Sequence, residues 1–297
     1  MICIKLSGGL GNQMFQYACG RSIAHKHQTE LLLDISLLKR KETNSSSTKR
    51  KFELNIFQLN AQIASKEDVQ KLKSIFYRFA NILSLRAGYG GIQDKRYFIE
   101  RKIYFEESIK KVGEDCYLSG YWQNERYFQS VDYIIRKDFQ FHLPTSNNNK
   151  DLLRKIHNEN SISLHIRRSD FANGHYHAIH GVCSIEYYIN ASKYISENFS
   201  NPFFFIFSDD ICWARENLKL SYGHRFIDEN VGEQSYIDML LMSNCKHNII
   251  ANSSFSWWGA WLNPNPNKVV IAPKQWFANE KLNAQAIDLV PPKWIRL

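Results

Sequence analysis

The chain of 297 residues is long enough to build one sizeable core or two modest ones, which excludes a disulfide-stapled miniprotein. Its 44% hydrophobic and 23% charged residues match a globular protein, and no segment reaches the roughly 18 uninterrupted apolar residues of a membrane-spanning helix. Thirty-eight Lys and Arg against 29 Asp and Glu leave a net charge of +9, which favours anionic partners: nucleotide phosphates, nucleic acid or an acidic membrane surface.

In chain order, the opening Met1-Ile2-Cys3-Ile4-Lys5-Leu6-Ser7 lacks the basic flank and long apolar stretch of a secretory signal, which predicts a cytoplasmic protein. Residues 2–6 predict a buried strand, 14–27 a helix and 31–33 a second strand. Basic clusters at 39–41 and 49–51 flank a Ser/Thr-rich stretch and read as a solvated loop. A helix over 66–85 and a strand over 116–122 follow, and the polar, Pro-containing stretch 143–149 reads as a break. Beyond it, strands at 162–166, 203–207, 247–251 and 268–272 alternate with helices at 185–198, 233–245 and 255–262. Cys3, Cys19, Cys116, Cys183, Cys212 and Cys245 include no CxxC pair and read as core thiols. Strand-helix alternation predicts an α/β chain of two Rossmann-like parallel-sheet domains, 1–147 and 148–297, facing a central cleft. Roughly the last twenty residues are expected to pack back on the first domain. Ligands of such sheets gather at the carboxyl ends of strands.

Four strand ends carry chemistry. Ser7-Gly8-Gly9-Leu10-Gly11-Asn12-Gln13 leads into a helix, so its glycines permit a tight turn and a close approach of N–H groups to an anion. The amides of Asn12 and Gln13 suit hydrogen bonding to a sugar. Asp34 adds a superficial likeness to a dinucleotide fingerprint, spoiled by Met14 where the third glycine or an alanine belongs. In the next segment, strand alternation places His165 and Arg167 on one face and Leu164, Ile166 and Arg168 on the other. Two adjacent guanidiniums need anions, and a diphosphate satisfies both bidentately; pairing of Arg168 with Asp170 is the structural alternative. Ser208-Asp209-Asp210 ends another strand, where the acids either ligate a divalent cation or cap a helix beginning near Ile211. No second carboxylate-rich strand end completes a metal cage, which favours the cap. Lastly, Asn252-Ser253-Ser254-Phe255-Ser256 places four polar residues at one strand-to-helix junction, where capping needs one, so phosphate binding at the helix N-terminus is expected.

Together these segments resemble the bacterial α-1,2-fucosyltransferases of glycosyltransferase family 11. The matches run from Gly8 to Tyr17, through Gly120-Tyr121-Trp122-Gln123, His165-Ile166-Arg167-Arg168-Ser169-Asp170, His180-Gly181-Val182-Cys183-Ser184 and Phe207-Ser208-Asp209-Asp210, to residues 249–262. Ser169 stands where the family commonly has glycine, and residues 39–110 carry little that matches. The resemblance implies a GT-B enzyme that moves L-fucose from GDP-β-L-fucose to the 2-hydroxyl of a galactose residue. Transfer proceeds with inversion, without an obligatory metal or other cofactor, in O-antigen or other surface polysaccharide synthesis. On this reading Arg167 neutralises the leaving diphosphate and Arg168 supports it. His165 and Asp238 contact the guanosine, and Asn252, Ser253, Ser254, Phe255 and Ser256 hold phosphate. Asn12 and Gln13 reach fucose or phosphate, Asp209 and Asp210 contact the ribose or cap a helix, and Trp122, Gln123 and His180 face the acceptor. Asp170 is the candidate general base unless an ion pair with Arg168 depresses its pKa. A lipid-linked acceptor would hold this basic protein peripherally at the anionic inner face of the cell membrane; no nucleic-acid partner is expected.

Three other classes explain part of the pattern. A dinucleotide oxidoreductase accounts for Gly9, Gly11 and Asp34, a nucleic-acid binder for the charge, and a non-catalytic sugar-binding protein for Trp122, Trp257 and Trp258 as stacking platforms. The first leaves the adjacent arginines and the Asn252–Ser256 junction without a task, the second lacks an RNP-like strand motif or zinc-ligand spacing, and the third hardly requires two arginines at a strand end.

Overall fold

Apolar runs without alternation form strands that are covered on both faces. Ile2-Cys3-Ile4 does so in β1 (Ile2–Lys5), the middle of a five-stranded sheet with β2 (Leu31–Asp34), β3 (Gln62–Ile63), β4 (Tyr97–Ile99) and β5 (Cys116–Ser119). The order is β3-β2-β1-β5-β4, all parallel. The computed structural model describes residues 1–39, 50–72, 96–143, 146–168 and 174–297, which fall into two units, Met1–Gln140 and Phe141–Leu297. In the first, α1 (Leu10–Lys26) lies close against the sheet because Gly20 has no side chain. A Cβ there would stand 2.9 Å from Leu31 and 3.1 Å from Ile4. Asp34 is buried, accepting from the Tyr117 hydroxyl at 2.5 Å and the Ser36 N–H at 2.9 Å. Its oxygens serve the fold rather than a cofactor ribose. Two shorter helices, α2 (Lys66–Leu72) and α3 (Asp132–Asp138), complete this unit's described helices.

The second unit holds a six-stranded parallel sheet: β6 (Asn160–Ile166), β7 (Pro202–Ser208), β8 (His224–Ile227), β9 (His247–Ile249), β10 (Val270–Ala272) and β11 (Ile295–Arg296). Its order is β11-β10-β9-β6-β7-β8. Interleaved with these strands are α4 (Asn147–Asn158), α5 (Gly174–His180), α6 (Ile185–Asn198), α7 (Ile211–Asn217), α8 (Tyr236–Asn244), α9 (Ser254–Leu262) and α10 (Glu280–Gln285). Strand pleating divides β7 cleanly. Phe204 and Ile206 join Ile162, Leu164, Tyr188 and Ile195 on one face, and Phe205 and Phe207 join Leu152, Ile156, Leu241 and Met242 on the other. Both faces are covered by helices, which is why this strand reads as five consecutive apolar residues.

Several expectations are corrected. The stretch 143–149 is not wholly a break: Ser146 caps α4, its hydroxyl accepting from the Asn149 N–H at 3.3 Å, and the three asparagines form the first turn. The strand expected over 116–122 stops at Ser119 because the N–H groups of Tyr121 and Trp122 go to the Glu100 carboxylate instead of the ladder. The carboxyl terminus completes the second unit's own sheet, with β11 beside β10 and Trp294 against Trp257. Of the six thiols Cys212 is exposed and Cys183 half-buried, so four are core residues. The helix expected over 66–85 is described as far as Leu72, and residues 40–49 of the basic loop lie outside the described residues.

Candidate active site

In the second sheet the chain builds outward from β6 to β7 and β8 on one side and to β9, β10 and β11 on the other. The carboxyl ends of β6 and β9 therefore mark the topological switch point, where such sheets bind ligands. Arg167 and Arg168 follow β6, while Asn252 and Ser253 follow β9 and lead into α9. His165 and Phe255 bring the two segments into contact, their rings 5.8 Å apart. Ser253 caps α9, its hydroxyl accepting from the Phe255 N–H at 3.3 Å, and Ser254 and Phe255 remain partly exposed at the helix start.

The two guanidiniums are held by the next strand. Asp209, just past β7, binds Arg167 Nη1 through Oδ2 at 3.0 Å and accepts the Arg168 N–H through Oδ1 at 2.8 Å. One carboxylate thus fixes both the side chain and the backbone of the arginine pair. Arg168 lies 3.6 Å over the Trp213 ring with its Nε 3.8 Å from Asp210 Oδ2. Asp210 also caps α7, accepting from the Trp213 N–H at 3.2 Å. His165 is buried, and among the described residues neither its Nδ1 nor the Arg168 Nε has a hydrogen-bond partner, the latter being only in ion-pair range of Asp210. Buried polar atoms of this kind are ordinarily satisfied, so two at one switch point mark a place where a ligand supplies acceptors. Burial, aided by the charge of Arg167, pushes the His165 pKa down to about 3, and the ring is neutral at working pH. Asp238, on α8, accepts from Asn230 Nδ2 at 2.7 Å, and Asn149 Nδ2 holds the Asn230 oxygen at 2.8 Å. Burial raises the Asp238 carboxyl to about 7, opposed by the Asn230 bond and helped by Glu229.

In the first sheet the strand order reverses between β1 and β5. Asn12, in the first turn of α1, and Gln123, in the loop beyond β5, meet there: Gln123 Nε2 donates to Asn12 Oδ1 at 2.7 Å. Gly8 has φ +74°, and a Cβ on it would collide with the Asn12 side chain. The start of α1 already has an anion. Glu53 Oε2 accepts the Leu10 N–H at 2.9 Å, so that N–H is not open to phosphate.

The whole chain, residues 1–297, matches the model of glycosyl transferase family 11. An alpha-1,2-colitosyltransferase of Escherichia coli is 36% identical over 100% of this chain and 99% of its own length. The O-antigen biosynthesis glycosyltransferase WbnK of Escherichia coli is 35% identical over 98% of this chain and 99% of its own. The chain belongs to glycosyltransferase family 11. The crystal structure of fucosyltransferase NodZ from Bradyrhizobium superimposes with a TM-score of 0.50 at 13% identity, covering 89% of this chain and 93% of that one. The two parallel-sheet units are those of the GT-B type of α/β fold.

Within this family 11 chain the structure brings together His165, Arg167, Arg168, Asp209, Asp210, Ser253, Ser254 and Phe255 at one switch point and Asn12 with Gln123 at the other. Others have different work. Asn252 Nδ2 donates to the carbonyls of His180, Gly181 and Trp276 at 3.0, 3.3 and 3.1 Å, so its amide braces these loops rather than a donor. Ser256 is buried and donates back to the Ser253 carbonyl at 3.4 Å. Gln13 is fully buried, bonding the Gly8 and Lys51 carbonyls and accepting the Glu53 N–H. The Trp122 ring is fully buried against Phe98 and Tyr127 and offers no face to an acceptor. Trp257 and Trp258 are equally buried, which removes the stacking platforms of a sugar-binding module. His180 packs on Phe277 with ring centres 5.5 Å apart. Ser169 and Asp170 lie outside the described residues. Sequence reading missed Glu53 and Asn230, since each acts on a partner made adjacent by folding, 43 residues away for Glu53.

Among the described residues no three His, Cys, Asp or Glu side chains cluster as metal ligands, and no helix is long and apolar enough to cross a membrane.

Proposed function

We propose that this family 11 enzyme transfers L-fucose from GDP-β-L-fucose to the 2-hydroxyl of a galactose residue of an O-antigen or related surface glycan, with inversion. The second unit takes the donor and the first the acceptor. The observation that carries the reading is the β6/β9 switch point, where Arg167, Arg168 and the start of α9 converge and two buried polar atoms lack hydrogen-bond partners among the described residues. Departure of GDP leaves charge on a diphosphate, and a guanidinium pre-oriented by Asp209 meets that charge as it develops, without reorganising. Neutral His165 offers a ring nitrogen, and Asp238 an oxygen, to the donors and acceptors of a guanosine.

The 36% identical colitosyltransferase supports a second donor. Colitose is fucose without its 3-hydroxyl, so the same diphosphate machinery serves either sugar. Incubating the enzyme with GDP-fucose or GDP-colitose and a panel of β-galactosides, in excess EDTA and again with Mn²⁺, decides between them. The expected product carries fucose mass, forms in EDTA and is α-1,2-linked by NMR. Transfer of colitose alone replaces the donor. Turnover that needs Mn²⁺ overturns metal independence, and absence of GDP binding overturns the second unit as donor site.

A further inference from the structure

The second unit carries a chain of buried amides that neither the arginine pair nor the α9 junction uses. Asn149, in the first turn of α4, donates from Nδ2 to the Asn230 oxygen at 2.8 Å, and Asn230, in the loop beyond β8, donates from its own Nδ2 to Asp238 Oδ1 at 2.7 Å. Three elements distant in sequence thus meet at the first turn of α8, with Asn149 and Asn230 buried and Asp238 half-buried. Because the sheet is parallel, the start of α8 lies at the carboxyl ends of its strands, on the side where Arg167 and the start of α9 stand. Phe255, which meets His165, packs on the same apolar cluster as Tyr236 and Ile237 beside Asp238. An amide can face a carboxylate with its NH₂ or with its oxygen, and only the first attracts. Asn149 Nδ2 claims the Asn230 oxygen, which leaves the Asn230 NH₂ for Asp238. Asn149 does this at a cost, since its own Oδ1 is buried without a hydrogen-bond partner among the described residues. An apolar side chain would fill that place with no stranded carbonyl, so the arrangement gives up stability for the orientation of Asp238.

We propose that Asn230, held by Asn149, is a positioning residue that sets the base selectivity of the donor site: it fixes the plane of the Asp238 carboxylate so that the N1–H and N2–H₂ donors of guanine are met together. The assignment rests on the function proposed above, in which Asp238 contacts the guanosine. Asn230 occupies one of about four lone-pair sites of the carboxylate, which leaves enough for both guanine donors. A pair of parallel bonds demands a set carboxylate plane, whereas the single bond left to hypoxanthine, which lacks the amino group, tolerates rotation. Fixing the plane therefore strengthens guanine more than hypoxanthine. Adenine presents an acceptor at N1 and is repelled. The Asn230 bond also favours the ionised carboxylate that these donors need, against burial and the charge of Glu229.

The test is calorimetric binding of GDP, IDP and ADP to the full-length wild type, Asn230→Ala and Asn149→Leu, with Tm measured alongside. Wild type is expected to bind GDP about tenfold or more tighter than IDP, and ADP more weakly still. Asn230→Ala is expected to lower GDP affinity by about tenfold and IDP affinity by less than about threefold, so that the preference shrinks. Asn149→Leu touches no nucleotide and removes the stranded carbonyl; its preference is expected to shrink by about threefold while its Tm stays within about 3 °C of wild type. A purely structural Asn230 would instead lower Tm and weaken GDP and IDP by the same factor, and an unchanged ratio in the folded variants overturns the assignment. So does wild type that binds GDP and IDP within about twofold of each other, which needs no variant to fold. Wild type that binds neither nucleotide overturns the proposed donor site and the assignment with it; a preference for GDP that survives in both variants overturns the assignment alone.

Discussion

Arg167 is useful because it is already placed. Its guanidinium is anchored by Asp209 at 3.0 Å, and the same carboxylate fixes the following backbone N–H, so the charge stands ready before the diphosphate arrives. Arg167→Ala is expected to lower kcat by ~10²–10³ with the fold intact by circular dichroism. Asp209→Asn keeps a hydrogen-bonding group but no ion pair, and a smaller loss of about tenfold, in kcat more than KM, is expected from steady-state kinetics. Asp238 makes a pH prediction. Its carboxyl titrates from 3.8 up to about 7 on folding, so the folded chain holds a proton the unfolded chain has lost. The stability this confers is complete below about 3.8 and is lost as pH rises through about 7. A guanine that binds the ionised carboxylate must displace that proton. GDP affinity is therefore expected to rise with pH up to about 7 and level off, a slope that calorimetry should find absent in Asp238→Asn.

At the scale of elements, the strand interiors were the most readable. β7 is a long apolar run covered on both faces, and β6 sets Ile162, Leu164 and Ile166 at alternate positions, so both announce themselves in the sequence. The edge strands β3, β8 and β11 were not read, because all of their few residues except Ile227 are exposed or half-buried and they take their pairing from a neighbour. Helix starts show the same division. Ser253 caps α9 from within its own motif, whereas the start of α1 is held by Glu53, which no local spacing reveals. The α1 contact also has a measurable tolerance. Gly20→Val would put branched methyls where Leu31 and Ile4 already sit, and urea denaturation is expected to show a loss of about 1–3 kcal/mol.

For the molecule as a whole, two properties follow from charge and ligand binding. A ligand that binds only the folded state stabilises it by about 2.7 kcal/mol at a hundredfold excess over Kd. GDP is expected to raise Tm in wild type, and Arg167→Ala to blunt that rise at equal GDP. The net charge of +9 is expected to give weak binding to vesicles containing anionic lipid that fades as salt rises past about 0.15 M. Absence of binding at every ionic strength would remove the membrane from the account.

The amino-acid sequence alone determined the fold class, the strand ends that matter and the family, because these depend on local periodicity and on contiguous motifs such as His165 to Arg168 and Asn252 to Trp261. It also pointed to Arg167 as an anion ligand, since adjacent arginines at a strand end need counter-charges wherever they fold. Only the tertiary structure decided which acids hold them, that Trp122 and Gln13 are buried rather than presented, and that Asn252 is a brace. It alone brought Glu53 to Leu10 and Glu100 to the turn at Tyr121 and Trp122. Desolvation and long-range pairing set these roles, and both are properties of neighbours that exist only once the sheets have formed.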